Sequence, residues 1–177
     1  MLTLAIPVYN MESLLERCMD TMLSQTCRDF EIILVDDGST DASSAMCDAY
    51  AAAQPGFIRV IHKPNGGQST ARNMGLEKAE GKYVIYLDSD DFITSETFFE
   101  DIYNKIQETD SDIVLYKYSK YFDNTKTLDK CTFTLDFAES ITDSDEMLET
   151  LVKKDAYYGM AWVKAFRREM AIENGVV

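Results

Sequence analysis

Basic residues are scarce in this sequence: 17 Lys and Arg stand against 31 Asp and Glu in 177 residues, a formal charge of −14. That balance repels phosphate backbones and anionic lipid surfaces, so nucleic acid is excluded as an expected partner. Histidine is nearly absent, and a single His62 cannot build a histidine-rich zinc site. Cys18, Cys27, Cys47 and Cys131 show no C-x-x-C spacing. The first three fall in segments that read as buried or half-buried, where cysteine serves as a small hydrophobe in a reduced compartment. No apolar run approaches the roughly 20 residues that a spanning helix requires. Met1 to Pro7 lacks the basic start of a signal peptide. These absences predict a cytoplasmic chain, with membrane attachment left to sequence outside it. Internal repeats, linkers and low-complexity tracts are missing as well.

The composition present, 46% hydrophobic and 27% charged, is that of one globular domain with a substantial core. Leu2 to Val8 is short and almost wholly apolar, as a strand buried on both faces would be. Asn10 offers an N-cap, and Met11, Leu14, Leu15, Cys18 and Met22 follow at helical spacing. Phe30 to Val35 reads as a second buried strand. A second helix after Asp41 turns Ala45, Met46, Ala49, Tyr50 and Ala53 inward and stops at Gln54-Pro55-Gly56. Phe57 to Ile61 is a third strand, Ser69 to Ala79 a third helix, and Tyr83 to Leu87 a fourth strand. This alternation predicts an α/β fold, a mostly parallel central sheet flanked by helices. Beyond Asp91 come a helix carrying Phe98, Phe99, Ile102 and Ile106, a strand near Ile113 to Tyr116, and an irregular hairpin or excursion from Lys117 to Cys131. A helix starting at Asp143 or Ser144 and an apolar element of open type from Met160 to Phe166 complete the pattern. The ending at Gly175-Val176-Val177, without a cap or polar tail, reads as a cut through a domain.

Ligands of open α/β sheets bind outside the carboxyl ends of the strands. Four polar clusters follow strand ends here: Val8-Tyr9-Asn10, Asp36-Asp37-Gly38-Ser39, Asn65-Gly66-Gly67-Gln68 and Asp88-Ser89-Asp90-Asp91. Each alone is compatible with an ordinary turn or cap. The last is harder to reduce to that, because three carboxylates within four residues repel one another unless a cation or solvent separates them. Asp88 and Asp90 alternate in an extended segment, and small backbone adjustments would let them converge on Mg²⁺ or Mn²⁺. Such a metal would also let an acidic chain hold a diphosphate. The loop through Gly66 and Gly67 permits close backbone approach, and the following helix N-terminus and Arg72 offer positive potential. Neither G-x-x-x-x-G-K-[ST] nor G-x-G-x-x-G occurs, which weighs against NTPase and dinucleotide readings.

With these motifs in order, the sequence resembles the inverting glycosyltransferases of family two, whose fold is called GT-A, a Rossmann-like nucleotide-diphospho-sugar transferase fold. The resemblance runs from Leu2 to about Phe92, and Ala161 to Arg168 looks like the family's tryptophan-containing segment. It implies a single catalytic domain over 1–177, C-terminally truncated, with a nucleotide-binding half at 1–92 and the start of an acceptor-side half at 93–177. It further implies that Pro7, Val8 and Tyr9 border the nucleoside, that Asp37 hydrogen-bonds the base, and that Gly67 and Arg72 lie near the nucleotide. Asp88 and Asp90 form the family's D-x-D, with Asp90 on the metal and Asp88 shared between ribose and metal, while Asp91 supports the shell. The implied reaction moves a sugar from a nucleotide-sugar, a UDP-sugar by preference, to a carbohydrate or lipid-linked acceptor hydroxyl with inversion, in cell-envelope polysaccharide biosynthesis. Its general base is expected beyond Val177, since Glu173-Asn174-Gly175 does not reproduce the family's acidic motif.

Two other classes share parts of this pattern. A nucleotidyltransferase would carry a glycine- and base-rich triphosphate loop near the first strand, where Pro7-Val8-Tyr9-Asn10 has neither feature. A phosphorylatable receiver domain would place an aspartate after the third strand, where this chain has His62-Lys63-Pro64-Asn65.

Overall fold

The computed structural model describes residues 1–130, 143–153 and 160–175; Cys131 and the Val176-Val177 end lie outside them. In chain order the elements are β1 (Leu2–Val8), α1 (Leu15–Leu23), β2 (Phe30–Asp36), α2 (Ser43–Ala53), β3 (Ile58–His62), α3 (Gln68–Lys78), β4 (Tyr83–Tyr86) and α4 (Phe98–Thr109). They continue with β5 (Ile113–Leu115), β6 (Ser119–Phe122), β7 (Thr127–Lys130), α5 (Ser144–Lys153), a short 3-10 turn at Ala161–Val163, β8 (Lys164–Arg167) and α6 (Arg168–Glu173). Two compact units result: Met1–Leu115 with Lys164–Val177, and Tyr116–Val163.

The first unit holds a six-stranded sheet of order β3-β2-β1-β4-β8-β5. β1 pairs in parallel with β2 and β4, and β2 with β3. Every residue of β1 and β2 is buried, which is why both read as unbroken apolar runs rather than as alternating ones. Helix α3 approaches β1 closely at Gly75, where an added Cβ would come within 2.7 Å of the Ala5 Cβ. Phe99 of α4 stacks on Phe30 of β2 with 3.9 Å between ring centroids. At the end of the sheet where β1 and β2 begin, Glu31 is a buried carboxylate. It accepts from the Thr3 hydroxyl (2.7 Å), the Glu80 N–H (2.7 Å) and Arg59 Nε and Nη2 (3.1 and 2.7 Å). Burial pushes the Glu31 pKa up, but the hydrogen bonds and the arginine charge outweigh it and hold the group below the ordinary glutamate value.

The Met160 to Phe166 segment, whose type the sequence leaves open, resolves into the 3-10 turn and β8; β8 inserts antiparallel between β4 and β5, and β1 to β4 form the parallel part of the sheet. Two sequence expectations are corrected in this unit. Asn10 is not a helix cap. It has φ 54°, its Oδ1 accepts from the Thr40 N–H at 2.8 Å, and a turn closing on the Met11 carbonyl precedes α1. In α2 the buried positions are Ser43 and Cys47, with Met46 and Tyr50 half-buried, whereas Ala45, Ala49 and Ala53 are exposed. A helix this rich in alanine carries little pattern of its own. Its rotation is fixed by contacts such as that of the Ser43 hydroxyl, which accepts from the Met11 N–H at 2.7 Å.

In the second unit β6 and β7 form an antiparallel hairpin, within the stretch read as an irregular hairpin. Asp143 caps α5, its Oδ1 accepting from the N–H groups of Asp145 and Glu146 at 3.1 and 2.9 Å. The Tyr118 ring meets Trp162 edge-on at 5.1 Å, and the Tyr116 hydroxyl donates to the Trp162 carbonyl. Among the described residues no helix is long and apolar enough to cross a membrane.

Candidate functional site

The carboxyl ends of β1 to β4 lie along one edge of the first unit's sheet, because the four strands are parallel. At the end of β1, Pro7 and Val8 are buried within the sheet and Tyr9 is exposed. Pro7 carries no N–H, and it lies past the last β1 residue paired with β4, where no ladder bond is lost. The Asp37 N–H donates to the Val8 carbonyl at 2.8 Å and so ties the first two strand ends together.

The end of β2 and the turn after it carry two buried aspartates with different duties. Asp36 accepts from the Ser39 N–H at 3.0 Å and pairs with His62 Nδ1 at 2.9 Å. The other ring nitrogen of His62 faces Asp48 Oδ1 at 3.0 Å. Hydrogen bonds to Asp36 and then Asp48 raise the His62 pKa above its ordinary value, because both carboxylates favour the imidazolium. Asp37 faces the loop after β3. Its carboxylate accepts from the N–H groups of Gly66 (2.9 Å) and Gly67 (2.8 Å) and from the Lys63 ammonium. Burial pushes the Asp37 pKa up, and these three donors override it and lower the pKa. Gly38, at φ +76°, lets this turn sit against the loop, since an added Cβ would fall 2.8 Å from the Asn65 nitrogen.

Lys63 was not singled out from sequence, although it is central to this arrangement. Besides Asp37, its ammonium donates to the Pro64 carbonyl at 2.8 Å and to Thr70 Oγ1 at 2.9 Å, so all three of its hydrogens are used. A lysine directly after a strand and before an Asn-Gly-Gly loop was the available signal. Gln68 opens α3 and in the sequence is only one member of the Asn65-Gly66-Gly67-Gln68 cluster. Its Nε2 donates to Asp88 Oδ1 at 2.9 Å, and Arg72 Nη2 donates to the same oxygen at 2.5 Å.

After β4 the acidic residues form a turn and not the extended segment expected: the Asp91 N–H donates to the Asp88 carbonyl at 3.0 Å. The turn brings carboxylate oxygens of Asp88, Asp90 and Asp91 within 4.8 Å of one another. Two oxygens bound to a hard cation at about 2.0–2.6 Å each lie at most about 4–5 Å apart, so the spacing and the all-oxygen chemistry both suit Mg²⁺ or Mn²⁺. Burial, and after it the charges of Asp90 and Asp88, push the Asp91 pKa up to about 6, with Arg17 opposing. Arg17 reaches across from α1, its Nη2 donating to the Asp90 carbonyl at 3.0 Å while its guanidinium sits 4.9 Å from the Phe92 ring centroid. The site residues expected from sequence are therefore on one edge: Tyr9 at its surface, Asp37 hydrogen-bonded to Gly67, Arg72 hydrogen-bonded to Asp88, and Asp90 in the acidic turn. Pro7 and Val8 support that edge from within.

Comparison with known proteins places this geometry in a lineage. The chain is 43% identical over 122 residues to "Glycosyltransferase GlyG" of Streptococcus pneumoniae serotype 4, covering 68% of this chain and 40% of that protein. S. aureus TarS 1-349, solved in complex with UDP-GlcNAc, superposes with a TM-score of 0.78 at 25% identity, over 99% of this chain and 47% of that one. A mannosyltransferase of Pyrobaculum calidifontis, PcManGT, solved with GDP-Man and Mn²⁺, shares the fold with a TM-score of 0.69 at 18% identity, over 98% of this chain and 46% of that one. The chain thus spans less than half the length of each of these three proteins. The fold common to them is GT-A, a mostly parallel sheet flanked by helices. The family model described as "Glycosyl transferase family 2" runs from residue 3 to residue 174, through all four strand-end segments, and the chain belongs to that family.

Proposed function

We propose that this chain is the donor-binding part of a glycosyltransferase that moves a sugar from a nucleotide-sugar, a UDP-sugar by preference, to a carbohydrate or lipid-linked acceptor hydroxyl with inversion, using Mn²⁺ or Mg²⁺. The observation that carries this reading is the convergence of the clamped glycine loop and the three-carboxylate turn on one sheet edge. Residues 1–92 form the nucleotide-binding half. Tyr9, exposed at 45%, offers a ring to the nucleoside, while Pro7 and Val8 fix where that ring emerges. Asp37 contributes to base recognition with the one acceptor site its three donors leave open, and those donors keep it ionised. Gly67 acts through the path of its backbone, since its N–H is already given to Asp37. Arg72 supplies positive charge beside the diphosphate. Asp90, exposed in its turn, and Asp88 would hold the cation, which would supply positive charge to the departing diphosphate.

The general base is assigned to none of the described carboxylates. Arg167 pairs with Tyr83 at the start of β4, so α6 with Glu169 begins at the sheet edge opposite the acidic turn. The test is calorimetric titration of the chain with UDP and with GDP, each with and without Mn²⁺. Tighter UDP binding in the presence of Mn²⁺ supports the reading, and binding of neither nucleotide overturns it.

A further inference from the structure

We infer that Gln68 is a positioning residue that limits Asp88 to a single oxygen for a cation and thereby tunes which cation the acidic turn prefers. The inference rests on the donor-site reading above. Gln68 and Arg72 stand one turn apart on α3, and residues so spaced share a helix face. Both donate to Asp88 Oδ1, at 2.9 and 2.5 Å. A carboxylate oxygen has two lone-pair sites, so this pair of donors uses up Oδ1 and leaves Oδ2 for a cation shared with Asp90 and Asp91. The two donors differ in a way that separates their roles. Arg72 brings a charge that also serves the nucleotide, whereas the Gln68 carboxamide is neutral and its removal leaves the net charge of the site unaltered.

A carboxylate held to one oxygen suits one class of cation better than another. Ca²⁺ accepts roughly six to eight oxygens in flexible geometry and takes chelating carboxylates readily, whereas Mg²⁺ demands a near-ideal octahedron and is commonly met by single oxygens. Occupying Oδ1 therefore disfavours Ca²⁺ relative to Mg²⁺. Removing Gln68 returns a lone pair to Oδ1 and opens the chelating mode. Gln68 is exposed at the first position of its helix, so neither alanine nor methionine there disturbs the core. Methionine also retains the length of the side chain without its donor.

The experiment titrates Mg²⁺ and Ca²⁺ separately, by calorimetry in the presence of UDP, into the wild-type chain and into Gln68→Ala and Gln68→Met. In both variants the affinity for Ca²⁺ relative to Mg²⁺ should rise by roughly fivefold, the scale of one hydrogen bond, with thermal unfolding unchanged. An unaltered ratio in both variants, with the wild type binding both cations, overturns the role of Gln68 and leaves the donor site standing. A wild-type chain that binds UDP and neither cation overturns the metal assignment and this inference with it.

Discussion

Lys63 and Asp37 form a closed ion pair under the glycine loop, with every hydrogen of the ammonium used and the carboxylate buried. The pair joins the ends of β2 and β3 and sets the path of residues 63–67 into α3. A residue on each side of the edge is thus spent on shape before any ligand arrives.

Replacing Lys63 by Met should leave the Asp37 charge buried with only its two backbone donors. The expected cost is about 1–3 kcal/mol of stability, together with weaker UDP binding. Urea unfolding and calorimetry on the same preparation check both parts. Unchanged stability would mean that the ion pair does not hold the loop.

Asp37→Asn should weaken UDP binding with or without metal, since an amide presents a donor where a charged acceptor stood and loses a bond typically worth about 1.5–3 kcal/mol. The clamp adds a second consequence: the amide should also loosen the Gly66 and Gly67 N–H groups. Amide hydrogen exchange at those two residues should accelerate in the variant. If exchange accelerates while UDP affinity stays constant, Asp37 shapes the loop and does not read the base.

Asp90→Ala should remove the Mn²⁺-dependent part of UDP affinity without lowering the melting temperature, because the side chain is exposed and its backbone carbonyl, held by Arg17, is retained. Relief of repulsion in the turn should even favour the folded state slightly. Equal metal dependence in variant and parent would take Asp90 out of the cation's shell.

His62 predicts a pH dependence of stability. Its folded-state pKa lies above the ordinary 6.5 because both ring nitrogens face carboxylates, Asp36 from β2 and Asp48 from α2. A raised pKa stabilises the fold fully below the unfolded value and loses that contribution as pH rises through the folded value. The difference in melting temperature between wild type and His62→Asn should therefore shrink as pH is taken from below 6.5 upward. A difference independent of pH would show that the imidazolium is not what these carboxylates hold.

Much of this arrangement was legible in the residues themselves. Strands buried on both faces show as unbroken apolar runs, so β1, β2 and β4 and their polar ends could be read directly, and β3, at the half-buried sheet edge, followed from the alternation with helices. The inserted β8 could not, because Lys164 to Arg167 has only four residues and its partner β4 lies far back in the sequence. The rotation of α2 was misread since exposed alanines cost little and mimic an apolar face. The Asp37–Lys63 and Gln68–Asp88 contacts were hidden for a different reason. They join residues whose separation in sequence says nothing about distance until the loop is folded, and each residue alone looks like an ordinary turn or surface position.

The position of β8 carries a consequence for how the chain comes into being. The β4 edge that supports the acidic turn finds its partner only in β8, roughly 80 residues later. At a synthesis rate of about 5–20 residues per second, that edge waits several seconds for its partner on the ribosome. During that interval an apolar strand ending in three carboxylates is open to pairing with another nascent chain. The like charge that Asp88, Asp90 and Asp91 give to each such chain, which a cation would offset in the finished protein, in the meantime opposes the meeting of two of these edges with their acidic ends together.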